Sequence, residues 1–234
     1  MAGVRAILFD FNGVLVDDEP IHLELFQRVL REEGVEVSAE DYFSRLIGFD
    51  DRDCFQTVLS EAGRPAAPDR VSRLIARKST YYHERIREQG FPFFDGAAEL
   101  IADAAASDLM LGVVSGALRD EVEGAIDQLG ARRHFKCLVT ADDVDAGKPD
   151  PEGYRRGLDG LNSLPPLPSR LLHPHEVLAI EDTPAGLRAA AAVGLATLGV
   201  AQTHSADRLT LADKVVESVR GLSVPHLRSL FAGG

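Results

Sequence analysis

Side chains that could do chemistry occur at four places, each near the carboxyl end of a predicted strand. The four stretches are DFNG at 10–13, SG at 115–116, GKPDP at 147–151 and EDTPAG at 181–186. Together they supply carboxylates, a hydroxyl group and a lysine. Oxygen ligands suit a hard cation, and a lysine with a hydroxyl group can hold an anion. The four stretches therefore indicate one polar site if the fold brings them together.

The residues of each stretch can also be explained by purely structural roles. Asp10 could cap a turn, and Ser115 could simply begin a helix. Lys148 could be a solvated lysine in a proline-rich turn, and Thr183 before a proline is an ordinary helix N-cap. These explanations stay open for each residue alone. It is the coincidence of all four at one edge of a predicted sheet that favours a functional site.

The chain length and the net charge limit the classes of protein to which this sequence can belong. A chain of 234 residues with 45% hydrophobic residues can bury a sizeable core, as one large domain or two smaller ones. The formal net charge of −12 argues against a general nucleic-acid binder, which would need clustered Lys and Arg to neutralise phosphates. A small anionic ligand remains possible, because one local positive site can oppose the overall field.

The cysteine content and the N-terminus favour a cytoplasmic protein that does not contact a membrane. Cys54 and Cys137 are too few for a disulfide framework, and neither has the spacing of a metal site. The apolar run at 4–9 is interrupted by Arg5 and ended by Asp10, far short of a signal-peptide core or a membrane span. We therefore expect no targeting segment.

Apolar periodicity predicts an α/β fold with a helical insertion. Residues 4–9 fit a short buried strand followed by a turn, and no convincing strand follows from Pro20 to about Gly90. In that block Ile21, Leu25, Val29 and Leu30 share one helical face, and further helical patterns lie at 39–46, 51–62 and 69–88. Strand and helix then alternate. The predicted strands are 109–116, 136–140, 176–182 and 195–200, and the predicted helices are 96–106, 118–129, 151–159 and 184–193.

Such alternation predicts a Rossmann-like parallel sheet with helices on both faces, and ligands in such sheets bind at the carboxyl ends of the strands. We expect the α/β core to comprise residues 1–16 and 92–234, and an inserted all-helical cap domain to comprise residues 17–91. The stretch 158–176 carries four prolines and is interpreted as a surface loop without an assigned role.

The four stretches, in this order, resemble the four motifs of the haloacid dehalogenase superfamily. The resemblance covers nearly the whole chain, and the position of the helical cap is similar to that in the phosphoglycolate phosphatase and beta-phosphoglucomutase branch. GKPDP and IEDTPAG are the most specific parts of the match.

The resemblance implies a phosphatase mechanism and assigns a role to each motif. Asp10 would be the nucleophile that forms an aspartyl-phosphate. The implied cofactor is Mg²⁺, with four expected ligands: Asp10, the backbone carbonyl of Asn12, Asp182 and, directly or through water, Glu181. The residues expected to bind the phosphate group are Gly13, Ser115, Gly116 and Lys148.

Asn12 departs from the phosphatase pattern, which has an aspartate acid/base at that position. An amide cannot protonate a leaving alcohol or take a proton from water at neutral pH. Three explanations remain open for an enzyme: a leaving group that needs little protonation, a replacement acid from the cap, or a variant that traps a bound state. A further possibility is a catalytically impaired protein that binds phosphate esters without turnover.

The cap is expected to select the substrate. His22 lies where phosphoglucomutase-like members carry a hinge histidine, and the segment GFDDRD at 48–53 resembles a substrate-specificity loop in which Arg52 could reach a distal anionic group. Lys78 resembles a cap lysine that faces the active site. For each of these three residues, a solvated side chain without a role is an equally open interpretation.

The leading functional prediction is a Mg²⁺-dependent phosphatase, a hydrolase of a small phosphorylated metabolite. A beta-phosphoglucomutase-like phosphomutase is the alternative, and isomerisation of a sugar monophosphate would distinguish it from release of phosphate. Carbon–halogen cleavage is disfavoured because it would not require the acid pair Glu181 and Asp182. The sequence does not predict the oligomeric state.

Overall fold

The computed structural model describes residues 3–46 and 51–231. The chain divides into two compact units, one formed by Met1–Asp17 with Phe91–Gly234 and the other by Asp18–Gly90. Within the described residues, the helices are too short or too polar to span a bilayer.

The first unit is built on a parallel six-stranded sheet. The strands are β1 (Ala6–Phe9), β2 (Met110–Val114), β3 (Phe135–Val139), β4 (Val177–Glu181), β5 (Ala196–Val200) and β6 (Lys214–Val216). Their order across the sheet is β3-β2-β1-β4-β5-β6, and every neighbouring pair is parallel. The direction in which the strand order grows reverses at β1, which places β1 and its neighbours at the position where such sheets bind ligands. The predicted parallel α/β fold is confirmed.

Helices of the described residues are numbered in chain order. They are α1 (Glu19–Glu32), α2 (Ala39–Asp41), α3 (Asp51–Glu61), α4 (Pro68–Gln89), α5 (Ala97–Ala106), α6 (Arg119–Gln128), α7 (Glu152–Ser163), α8 (Pro184–Val193) and α9 (Val224–Phe231). A π-helical turn follows α2 at Tyr42–Leu46, and four 3-10 turns occur at Arg132–His134, Ala141–Asp143, Pro174–Glu176 and Ala206–Arg208.

The alternation of side chains along each strand supplies both faces of the sheet with apolar surface. Ile7 and Phe9 of β1 belong to a core cluster with residues of α5, α6 and α9, whereas Ala6 and Leu8 belong to one with residues of α7 and α8. Successive residues of a strand point to opposite faces. A continuous apolar run such as that of β1 is therefore buried on both sides, as parallel sheets require.

The second unit is held together by its own apolar cluster. Phe26, Val29 and Leu30 of α1 pack in one buried group with Phe55 of α3 and Val71 of α4, among others. Because the apolar positions of α1 and α4 recur at helical spacing, each helix presents one buried face. The described residues of this unit form helices and turns.

Three parts of the fold differ from the sequence-based prediction. The stretch 158–176 is not entirely a loop, because α7 continues to Ser163. Tyr154, Gly157 and Leu161 continue its buried face at helical spacing, and the helix ends at Ser163, with Leu164 as its C-cap before Pro165. The other two differences are β6 and α9, which were not predicted.

Candidate active site

Asp10 lies directly after β1 at the carboxyl edge of the sheet. Pairing of β1 with β4 aligns Phe9 with Ile180, so Asp10 and Glu181 are the next residues of adjoining strands. The Asp10 side chain is buried, and its Oδ1 atom lies 2.7 Å from the Nζ atom of Lys148. The structure thus brings together the first and third motifs.

Glu181 is surrounded by groups that bind its carboxylate. Lys148 Nζ lies 2.5 Å from Glu181 Oε1, and the hydroxyl of Tyr154 donates to the same oxygen at 2.7 Å. The Thr183 hydroxyl donates to Glu181 Oε2 at 3.2 Å. Glu181 therefore anchors Lys148 beside Asp10.

Asp182 is buried like its neighbour, but its two oxygens have different surroundings. Oδ2 accepts a hydrogen bond from the hydroxyl of Thr203, whereas Oδ1 is buried and has no hydrogen-bond partner among the described residues. A buried acceptor without a partner carries a desolvation cost of ~1–3 kcal/mol. Oδ1 is thus an atom suited to a ligand.

Burial and mutual repulsion shift the pKa values of these carboxyl groups. Burial, together with the charge of Glu181, raises the pKa of Asp10 to about 6, although Lys148 opposes the shift. Burial, with the charges of Asp10 and Glu181, raises the pKa of Asp182 well above its ordinary value. Burial alone would lower the pKa of Lys148, but the charges of Asp10 and Glu181 outweigh it and raise that pKa.

This carboxylate cluster fits a hard divalent cation. One oxygen from each of Asp10, Glu181 and Asp182 lies within 4.8 Å of the others. When all three are ionised, Lys148 offsets one of three negative charges. Mg²⁺ takes oxygen ligands from one or two carboxylates, and Oδ1 of Asp182 offers an acceptor that has no partner within residues 3–46 and 51–231. The residues present therefore fit the metal that the sequence predicts.

Ser115 and Gly116 follow β2, the other neighbour of β1. The Ser115 hydroxyl accepts a 2.9 Å hydrogen bond from the Ala117 amide, so it keeps its own proton for donation. Ser115, Gly116 and Lys148 line one cavity of about 270 Å³, and its lining also includes Gly153 and Tyr154 of α7. The second and third motifs therefore face a common space.

The turn after Asp10 is shaped by Gly13. Its φ of +76° is in the left-handed region, and a Cβ atom at this position would overlap the carboxylate of Asp182. The Gly13 amide donates to the Val16 carbonyl at 2.9 Å. These contacts give Gly13 a role in the turn; its predicted role in phosphate binding stays a prediction. Asn12 is half-buried in the same turn.

Two of the three predicted cap residues meet within the second unit. Lys78 is buried, and its Nζ atom lies 2.9 Å from His22 Nδ1 and 2.5 Å from Asp51 Oδ1. Arg52 is exposed in the first turn of α3. The first part of the GFDDRD segment, residues 48–50, lies outside the described residues.

Three residues that contact the site were not predicted. Tyr154 binds Glu181, Thr203 binds Asp182, and the Gln202 side chain donates to the Gly13 carbonyl at 2.8 Å. For Gln202 and Thr203 a signal was present, because they follow the predicted strand at 195–200 and so lie near the same edge of the sheet. Tyr154 gave no such signal, since it lies inside a helix.

Comparison with known proteins agrees with this geometry. The sequence model of the "Haloacid dehalogenase-like hydrolase" family matches residues 7–200. The validoxylamine A 7'-phosphate phosphatase of Streptomyces hygroscopicus subsp. limoneus is 31% identical over 234 residues, which cover 95% of this chain and 98% of that protein.

Two solved structures of CbbY from Rhodobacter sphaeroides are similar to this chain. One contains phosphate, and the other is an aspartate-to-asparagine mutant in complex with xylulose-(1,5)bisphosphate. For each the TM-score is 0.76 and the identity 26%, and the match covers 94% of this chain and 96% of the other. The chain belongs to the haloacid dehalogenase-like hydrolase family and is a phosphoric monoester hydrolase.

Proposed function

We propose that this protein is a Mg²⁺-dependent phosphatase of a phosphorylated, sugar-like metabolite, with Asp10 as nucleophile and no acid/base group at position 12. One observation carries the proposal: the buried Asp10 carboxylate contacts Lys148 and lies beside Asp182, which has a buried oxygen without a partner among the described residues. The substrate class rests on the relatives, since one is named for a validoxylamine phosphate and another binds a xylulose bisphosphate.

The proposed reaction has two steps at Asp10. In the first, a carboxylate oxygen of Asp10 forms a bond to phosphorus while the bond from phosphorus to the ester oxygen breaks, and the alcohol must gain a proton. In the second, a water oxygen forms a bond to phosphorus while the bond from phosphorus to the Asp10 oxygen breaks; this regenerates the Asp10 carboxylate and releases inorganic phosphate, and the proton lost by water passes to solvent. Ser115 donates to phosphate oxygens, and Lys148 offsets negative charge on the phosphate and on Asp10.

The metal would be held by Asp10, Asp182 and the carbonyl of Asn12, with Glu181 close enough to act directly or through water. Bound Mg²⁺ supplies positive charge that reduces the repulsion between the Asp10 carboxylate and a phosphate dianion. Asn12 keeps a backbone carbonyl in the turn, but its amide cannot transfer a proton at neutral pH. We therefore expect slow turnover of substrates with poor leaving groups.

A panel of phosphate esters tests this proposal. Phosphate release is measured with and without Mg²⁺ for sugar and polyol monophosphates and for an aryl phosphate, using the parent chain and its Asp182→Ala variant. Metal-dependent release that disappears in Asp182→Ala supports the proposal, and full activity of that variant overturns the metal site. Isomerisation of a sugar monophosphate would instead show a phosphomutase, and binding without release would show an impaired enzyme.

A further inference from the structure

The loop after β5 contacts both the turn that follows Asp10 and the carboxylate of Asp182. Gln202 binds the turn and Thr203 binds the carboxylate. All of these residues lie in the first compact unit. Two consecutive side chains of one loop therefore connect the segments that carry the proposed metal ligands.

Gln202 fixes the position of this loop. Its Nε2 atom donates to the Gly13 carbonyl at 2.8 Å, while its Oε1 atom accepts from the Val219 amide at 2.9 Å and from the Ser218 hydroxyl at 3.0 Å. Both ends of the amide are thus engaged with groups from two other segments. Such a side chain has little freedom to reorient, so the adjoining Thr203 is held in place.

The Thr203 hydroxyl has one proton, and its partners determine where that proton points. It donates to Asp182 Oδ2, and it also lies 3.2 Å from Nδ1 of the buried His204. Because the single proton is used for Asp182, the hydroxyl oxygen is left as an acceptor, and the contact with His204 is a hydrogen bond when Nδ1 carries the ring proton. The Thr203 hydroxyl is therefore oriented toward one oxygen of Asp182, and the other oxygen, Oδ1, is left without a partner among the residues that the structure describes.

We propose that Thr203 is a positioning residue that sets the affinity of the site for its divalent cation by holding the Asp182 carboxylate in one orientation. The proposal rests on the proposed function, since it assumes a cation at Asp182. Groups that orient a metal ligand typically change metal affinity by ~10–100-fold when they are removed.

The test is calorimetric titration of the full chain with MgCl₂ alone. Thr203→Val keeps the size of the side chain but removes the hydroxyl, and we expect it to weaken Mg²⁺ binding by ~10-fold or more. Thr203→Ser restores the hydroxyl and should bind within about threefold of the parent. Thr203→Ala, which removes the hydroxyl without adding a buried methyl group, should show the same loss as Thr203→Val.

Thr197 provides a matched control. It is a buried threonine of β5 whose hydroxyl donates to Asp213 Oδ2 at 3.0 Å, a pair outside the carboxylate cluster. Thr197→Val should destabilise the fold without changing Mg²⁺ affinity. Thermal unfolding without metal, run on every variant, separates loss of folding from loss of binding.

The outcomes distinguish this inference from the proposed function. If the parent binds Mg²⁺ through Asp182, as shown by loss of binding in Asp182→Ala, and Thr203→Val binds equally well, the role of Thr203 is wrong while the phosphatase proposal stands. If the parent binds no Mg²⁺, or binds it only as well as Asp182→Ala does, both proposals are overturned.

Discussion

The hydroxyl of Tyr154 donates a 2.7 Å hydrogen bond to Oε1 of Glu181, and both side chains are fully buried. Lys148 Nζ contacts the same oxygen and also lies 5.5 Å from the centre of the Tyr154 ring. Helix α7 is thereby tied to the end of β4 directly at the proposed active site. Burial and the negative charge of Glu181 raise the pKa of Tyr154 well above its ordinary value, so the phenol stays protonated and acts as a donor.

Tyr154→Phe should destabilise the protein because it leaves a buried carboxylate with one donor fewer. We expect a loss of ~1–3 kcal/mol in the free energy of unfolding, measured by urea denaturation. Tyr81→Phe is the control, since its hydroxyl binds the more exposed Glu32 at 3.0 Å and should change stability by less than ~0.5 kcal/mol. Equal effects of the two substitutions would contradict a special role for the buried pair.

The sequence predicts the sheet because its strands are predominantly apolar runs between turn residues. This holds for the runs that became β1, β2, β3, β4 and β5, although β3 includes Lys136 and β5 includes Thr197. β6 is not an apolar run. It has three residues, and the first two, Lys214 and Val215, are exposed. A short strand at the edge of a sheet needs no apolar run on either face, so periodicity does not reveal it.

The acids of the site were predictable because they lie at strand ends, where topology alone brings them together. Lys148 lies in the loop between β3 and α7, and its role was implied by the resemblance of GKPDP to a family motif. Tyr154 was not predictable, since its role depends on the packing of a helix. For Gln202 and Thr203 the sequence indicated only the edge of the sheet, and their hydrogen-bond partners depend on the path of a loop. Their contacts join segments far apart in the chain, and neither periodicity nor turn residues report such pairs.

Gly13→Ala should damage both stability and metal binding. Alanine at a φ of +76° costs ~1–2 kcal/mol, and its Cβ atom would in addition overlap the Asp182 carboxylate. Gly130→Ala is the control, because Gly130 has a similar φ of +62° and an added Cβ atom there would meet no other atom within 4 Å. We expect a larger loss of unfolding free energy for Gly13→Ala in urea denaturation, together with weaker Mg²⁺ binding in calorimetry. Equal stability losses and unchanged Mg²⁺ binding would show that the Asp182 carboxylate can move away from the added Cβ atom without loss of stability or of metal binding.

Glu176 should make the stability of the protein depend on acid pH. Two hydrogen bonds from Arg170, at 2.5 and 2.7 Å, and one from the His173 amide lower the pKa of Glu176 to about 2. Its stabilising effect is therefore complete above pH 4.5, the ordinary pKa, and is lost as the pH falls toward 2. Glu176→Gln should cost ~1–2 kcal/mol at pH 6, a modest value because Arg170 is half exposed. Urea denaturation at pH 6, 4 and 3 should show this difference shrinking with acid, and a constant difference would refute the linkage.

Asn12→Asp should raise the turnover of an alkyl phosphate, because it supplies the acid that the leaving alcohol lacks. General acid/base catalysis contributes ~10²–10⁴-fold, and we expect an increase in that range. An aryl phosphate serves as the control substrate, because its leaving group departs with little protonation. For this substrate, Asn12→Asp should increase the rate of aspartyl-phosphate formation by a smaller factor. The parent, with no carboxylate at position 12 to activate water, should also retain an Asp10 phosphoryl group longer after mixing, as detected by acid-quenched intact mass measurement. If the substitution leaves alkyl-phosphate turnover unchanged or lowers it, Asn12 serves a different chemistry.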